Sequence, residues 1–207
     1  MSNIQSFILL FLSVLIYGVY SETKTRVYGS VFQIKQGDTW TNVDRFIGVN
    51  LGVTPPDHFP GDVELRSEDY LIRFKRLEEL GVNTIRVYAL LHPEFYQTLL
   101  KWNNKHSHKF YLFHGTAFPE YELEENNGTD AFNINITSHM KFFINNTVNA
   151  IYGNGIVEYR KYRGTTPIYG DYTANIKDYL LGWVIAGEIP PYSIYRTNLE
   201  HPNLTHY

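Results

Sequence analysis

One carboxylate of this chain stands at the end of an unbroken apolar run. Leu180-Leu181-Gly182-Trp183-Val184-Ile185-Ala186-Gly187 leads directly into Glu188. A run of about eight such residues predicts a strand buried on both faces. An acid at the carboxyl end of a parallel strand sits where (β/α) enzymes keep their reacting groups. Low dielectric from Trp183 and neighbouring aromatics would raise its pKa towards that of a general acid. A solvated acid beside the Pro190-Pro191 turn is the alternative, and the pattern alone weighs the two equally.

Further groups fall at other predicted strand ends. In Thr84-Ile85-Arg86-Val87-Tyr88-Ala89, the residues Ile85, Val87 and Ala89 share one face, and Arg86 and Tyr88 share the other. An arginine on that second face would orient a carboxylate or a polar substrate group, with a structural ion pair as the alternative. Asn50, Tyr88 and His114 end predicted strands and are expected to line a substrate subsite with Arg86. His114 reads equally as a satisfied structural histidine.

Other polar clusters carry less chemistry. His106-Ser107-His108 lacks a second ligand group at metal spacing and reads as exposed. The acids Glu120, Glu122, Glu124 and Glu125 read as a solvated loop running to Asp130, with a cation site or the rim of a cleft as the alternative. Tyr159 to Tyr169 mixes Tyr and Arg, a composition that suits sugar stacking and turn packing alike. No metal site and no cofactor motif is expected.

The elements that must position these groups alternate. Val27–Ile34 is β-rich, with a turn at Lys35-Gln36-Gly37-Asp38. Phe46–Gly52 predicts a strand. Ser67 reads as the N-cap of a helix with Tyr70, Phe74 and Leu77 on one face and a stop at Gly81. A strand over Val82–Leu91 follows, then a helix from Pro93 to about Asn104. Phe110–His114 is the third strand, a helix spans Ser138–Tyr152, and Tyr179–Glu188 is the fourth strand. Strand and helix in strict alternation predict α/β architecture, a parallel sheet in the order 1-2-3-4 with helices outside. Either an open doubly wound sheet or a (β/α) barrel satisfies this. No glycine-rich phosphate loop opens a helix, which disfavours the nucleotide-binding version.

The bulk numbers narrow the partners. The chain has 207 residues, 43% hydrophobic and 16% aromatic, enough for one substantial core. A net charge of −3 offers no basic excess for nucleic acid or acidic membranes. Residues 1–21 read as a signal peptide, with an apolar segment over Phe7–Val19 and small residues before Glu22. Cleavage there gives a secreted protein with no membrane association, and an uncleaved anchor is the alternative. The absence of cysteine leaves stability to the core. Glycosylation triplets begin at Asn127, Asn135, Asn145 and Asn203.

These motifs resemble a known family. Gly48-Val49-Asn50-Leu51-Gly52 and Leu80-Gly81-Val82-Asn83-Thr84-Ile85-Arg86-Val87-Tyr88 look like the opening of a clan A glycoside hydrolase barrel of the families 2 and 5 type. Pro93-Glu94-Phe95-Tyr96, Gly170-Asp171-Tyr172 and the run into Glu188 extend the likeness, from about Val31 to Asn198. The resemblance implies a TIM barrel acting on oligo- or polysaccharide through two glutamates, with Glu188 as proton donor. The nucleophile would follow strand seven, and only about four βα units precede Tyr207. The chain therefore reads as a signal peptide followed by a partial barrel over 22–207, inactive alone, with exposed sheet edges prone to self-association. The clan places Asn before its acid, whereas this chain has Gly187. A non-catalytic glycan-binding or surface glycoprotein of the same fold is the alternative reading.

Overall fold

A computed structural model describes residues 24–52, 57, 64–125, 129–157, 169–185, 187 and 189–203. The predicted signal peptide lies outside them. The chain divides into two units, residues 1–43 and 44–207.

The described part of the first unit is an antiparallel meander of β1 (Thr25–Tyr28), β2 (Val31–Gln36) and β3 (Thr39–Asn42). The stretch Val27–Ile34, β-rich by sequence, is divided between β1 and β2. Gly29 breaks it with φ +61°, and Gly37 does the same with φ +60° between β2 and β3. Two-residue hairpin loops need positive φ at a central position, and glycine supplies it without strain. The register pairs Arg26 with Gln33 and Gln33 with Asn42. Their side chains follow suit: Arg26 Nε donates to Gln33 Oε1 at 2.7 Å, and Gln33 Nε2 to Asn42 Oδ1 at 2.7 Å.

The second unit is built on four parallel strands, β4 (Gly48–Asn50), β5 (Thr84–Val87), β6 (Tyr111–Thr116) and β9 (Leu180–Ile185), hydrogen-bonded in that order. The expected order of adjacent strands holds. Helix α1 (Ser67–Glu79) connects β4 to β5, and α2 (Pro93–Lys105) connects β5 to β6. The N-cap of α1 is Arg66, one residue earlier than expected, and Asp69 Oδ2 accepts its N–H at 3.1 Å. Ser67, freed from capping, donates to Glu94 Oε1 on α2 and lies 3.1 Å from the Thr98 hydroxyl.

One apolar cluster joins these elements. It takes Tyr70 and Phe74 from α1, and Phe95, Tyr96, Leu99 and Trp102 from α2. Ile85, Val87 and Leu112 come from the strands. Phe74 is its hub, with ring centroids 5.3 Å from Phe110, 5.8 Å from Trp102 and 6.3 Å from Phe95. Asn103 is buried in the last turn of α2, where its amide both accepts from Phe110 N–H and donates to Phe110 C=O, each at 2.9 Å. Asn83 performs a similar service at the other edge, its Oδ1 accepting from Ile47 N–H at 3.0 Å.

The long connection between β6 and β9 departs most from expectation. The acidic stretch forms a short helix α3 (Glu120–Glu124) that buries Leu123, with Glu122 3.5 Å from His139. Helix α4 (Ile134–Tyr152) begins four residues before Ser138, capped by Asn133 Oδ1 accepting from Asn135 N–H at 2.9 Å. Its Ala150 and Ile151 enter the same cluster as α1 and α2. A small antiparallel pair, β7 (Gly155–Val157) and β8 (Gly170–Tyr172), lies between α4 and β9. The Pro190-Pro191 turn opens a further helix, α5 (Pro191–Glu200). Ser193 on α5 is fully buried and donates to Thr129 C=O at 2.6 Å, and His201 lies 3.0 Å from Asp130.

The strand leading to Glu188 is also corrected. β9 is not buried on both faces: Leu181 is buried, but Trp183 is 37% and Ile185 59% exposed. The reason is topological. β9 is an outer strand of its sheet among the described residues, so its apolar residues lack a neighbour on one side.

Candidate functional site

The carboxyl edge of the parallel sheet gathers several of the residues singled out by sequence. Parallel register sets Asn50 beside Arg86, and Val87 beside His114. Strand alternation then sorts them by face. Ile85 and Val87 turn to the helix-covered core and are completely buried. Asn50, Arg86 and Tyr88 belong to the opposite, open side, where Asn50 and Tyr88 are exposed and Arg86 half-buried.

These three side chains touch. Arg86 Nη1 donates to Asn50 Oδ1 at 3.3 Å, and the guanidinium carbon lies 4.4 Å from the centroid of the Tyr88 ring. The guanidinium is thus braced from the neighbouring strand and from an aromatic face. Among the described residues no carboxylate pairs with it. Gly187 closes the cluster: a Cβ added there would stand 3.7 Å from Arg86 Nη2. The residue immediately before Glu188 therefore lies against Arg86. Glu188 itself lies outside the described residues.

His114 goes elsewhere. It shares the edge but not the open side, and its ring is completely buried against α2. Nδ1 lies 2.6 Å from Gly115 C=O, which can only accept, so Nδ1 carries the proton. Nε2 then accepts from the Tyr96 hydroxyl at 2.7 Å. The same hydroxyl accepts from Leu91 N–H at 3.1 Å, and the Tyr172 hydroxyl donates to Leu91 C=O at 2.6 Å. Desolvation lowers the His114 pKa from 6.5 to about 4, opposed only by the Gly115 hydrogen bond. Burial likewise pushes the phenols of Tyr96 and Tyr172 upward. The expectation that His114 lines the subsite is corrected: a neutral, satisfied imidazole under the helices cannot meet a ligand on the open side.

Sequence reasoning missed Tyr96, Tyr172 and Gly115. A Cβ on Gly115 would fall 2.0 Å from Tyr88 C=O, so the end of β5 rests directly on the β6 backbone. The glycine after His114 was the one available signal. Nothing in the spacing of Tyr96 or Tyr172 announces a shared hydrogen-bond chain.

The remaining candidates separate from this edge. His108 Nε2 lies 2.6 Å from Val82 C=O, and His106 stacks on Trp102 at 3.8 Å, so both are structural rather than simply exposed. Asn135 and Asn145 are exposed on α4, and Asn203 is exposed after α5. Asn127 lies outside the described residues. Among the described residues no group of His and acidic side chains could hold a metal ion, and no helix is long and apolar enough to cross a membrane.

The arrangement offers a braced cation, an exposed phenol and an amide on one open edge, a combination suited to hydroxyl-rich ligands. No protein-family model, curated protein or solved structure matches this chain.

Proposed function

We propose that this chain is a secreted glycoside hydrolase- or transglycosidase-like protein whose sheet edge binds β-linked polysaccharide. The observation that carries this reading is the Arg86 guanidinium, held by Asn50 and Tyr88 on the side opposite the helices, with Gly187 against it. Hydroxyl-rich ligands are recognised by such planar donors beside an aromatic face. The four strands are taken as the first four of a (β/α) barrel. In support, α1, α2 and α4 all contribute to one apolar cluster, whereas a doubly wound sheet carries helices on both faces. Glu188, following Gly187, is the proton donor in this reading.

Glycoside hydrolysis needs a second carboxyl, about 5 Å from the first in a retaining site. Strands β4, β5 and β6 end in Asn50, Val87 and Thr116, none of them acidic. The 207-residue chain is therefore expected to bind oligosaccharide without turnover. Gly187, which has no side chain to hold a sugar hydroxyl beside the acid, weighs against the catalytic version and leaves a non-catalytic glycan-binding role as the second reading.

Calorimetric titration of the whole chain with cellohexaose and laminarihexaose tests binding. Arg86→Ala is expected to weaken the interaction ~10-fold or more, because it removes a charged donor. Absence of binding to either sugar removes the proposal. Cleavage of an aryl β-glycoside that vanishes in Glu188→Gln would show that a second carboxylate is present after all.

A further inference from the structure

We propose that His114 is a positioning residue for the Arg86–Tyr88 site, acting through Tyr96 and Leu91. The inference deepens the glycan-binding reading and rests on it for its affinity measurement alone.

Tyr88 and Leu91 bound the segment that leaves β5 for α2. At its near end, the Tyr88 carbonyl packs on Gly115, where no Cβ would fit. At its far end, both backbone groups of Leu91 are bonded by buried phenols, N–H to Tyr96 at 3.1 Å and C=O to Tyr172 at 2.6 Å. The Tyr96 hydroxyl can hold Leu91 as an acceptor only while its own proton has somewhere to go. That acceptor is His114 Nε2, at 2.7 Å. The His114 ring is anchored in turn by Nδ1–H donating to Gly115 C=O, the same residue on which Tyr88 rests.

Protonation of Nε2 would break this order. Two donors, Leu91 N–H and Nε2–H, would face one phenol oxygen, and the phenol proton would be left buried without an acceptor. The groups that face the imidazole are Tyr96 from α2, the Trp183 ring from β9 at 6.0 Å, and Val87 from β5. Tyr172 of β8 stands one ring further, 5.4 Å from Tyr96. Tyr96 and Tyr172 are the titratable members, and both stay neutral. No charged side chain among them would stabilise an imidazolium. The site on the open side therefore depends on a neutral histidine buried beneath it.

The test uses the whole chain and two variants. Tyr96→Phe keeps the ring and deletes the hydroxyl. His114→Gln keeps an acceptor for the Tyr96 proton but cannot titrate. Amide hydrogen exchange is followed in 88–91 and in α1, and binding of cellohexaose and laminarihexaose is measured near pH 7 and about pH 4. Tyr96→Phe is expected to raise exchange in 88–91 ~10-fold with α1 unchanged, and to weaken binding by a similar factor. The unmodified chain is expected to lose affinity about twofold between pH 7 and about pH 4, where half of His114 is protonated, and in His114→Gln the ratio of the two affinities should approach one. Exchange that rises equally in α1, or stays unchanged in 88–91, overturns the inference. So does a His114→Gln protein that keeps the acid weakening. If the unmodified chain binds neither sugar, the glycan reading fails, and exchange in Tyr96→Phe alone decides whether His114 and Tyr96 position the segment.

Discussion

The guanidinium of Arg86 lies 4.4 Å from the centroid of the Tyr88 ring, two residues further along the same strand direction. Residues at i and i+2 of a strand project to one side, and Tyr88, the first residue past β5, keeps the side of Arg86. Alternation does not set the position of that side in the molecule. It is the helices packed on Ile85 and Val87 that leave Arg86 and Tyr88 open.

Tyr88→Ala removes the ring beneath the guanidinium. Tyr88 is 52% exposed, so stability is expected to fall by no more than about 1 kcal/mol. Oligosaccharide affinity should fall several-fold in the same variant. Thermal melts and calorimetry on one preparation separate the two effects. A large loss of stability with intact binding would mean that Tyr88 serves the fold instead.

Gly115→Ala should be far more damaging than its size suggests. The added methyl would meet backbone, the Tyr88 carbonyl oxygen at 2.0 Å, and no flexible side chain can yield. Strands β5 and β6 would have to part. The expected cost is about 3 kcal/mol or more in urea unfolding. A near-neutral result would require the two strands to be less tightly joined than this.

Phe74→Ala empties the centre of the core. Phe74 is fully buried against Phe95, Trp102 and Phe110. The expected loss is about 3–5 kcal/mol, against less than about 1.5 kcal/mol for Phe74→Leu if the cluster closes around it. Urea midpoints of the two variants check the difference.

Acid should weaken the fold through His114. Its pKa falls from 6.5 to about 4 on folding. Between those values the unfolded chain binds the proton and the folded chain does not, so stability rises with pH across this window. The contribution is complete above about pH 6.5, is lost progressively as pH falls towards 4, and is on the order of 3 kcal/mol. His114→Gln should show a flatter stability profile over the same window. Parallel profiles for the two proteins would place the acid sensitivity in other groups.

Self-association is expected through the outer strands. Among the described residues, β4 and β9 each have one neighbour in the parallel sheet. Unpaired strand edges template pairing with another chain. Sedimentation over a range of concentrations should show a species larger than the monomer, and a monodisperse monomer would argue that these edges are covered.

The alternation of strands and helices was legible because it rests on local rules. The spacing of Tyr70 and Phe74, Pro93 at a helix start, and the apolar runs within Phe46–Gly52 and Val82–Leu91 each reflect the geometry of one element. Parallel neighbours in chain order followed from connections that each contain a helix. Where local signals were divided, sequence reading failed. Gly29 split a β-rich stretch into a hairpin, and Pro191 opened a helix where Pro190-Pro191 had read as a turn.

By itself, then, the sequence determined which residues fall late in its apolar runs, Asn50, Arg86, Tyr88 and His114 among them, because strand patterning is local; the register that sets Asn50 beside Arg86 and Val87 beside His114 belongs to the fold. Only tertiary structure decided which of them face outward. The one-residue offset between Phe113 and His114 selects opposite sides of the sheet, and packing of α2 on β6 claimed the histidine for the core. Burial then set its tautomer and lowered its pKa, and the Tyr96 hydroxyl tied it to Leu91. Those properties arise from groups brought together across the fold, in a low-dielectric interior that no stretch of sequence contains on its own.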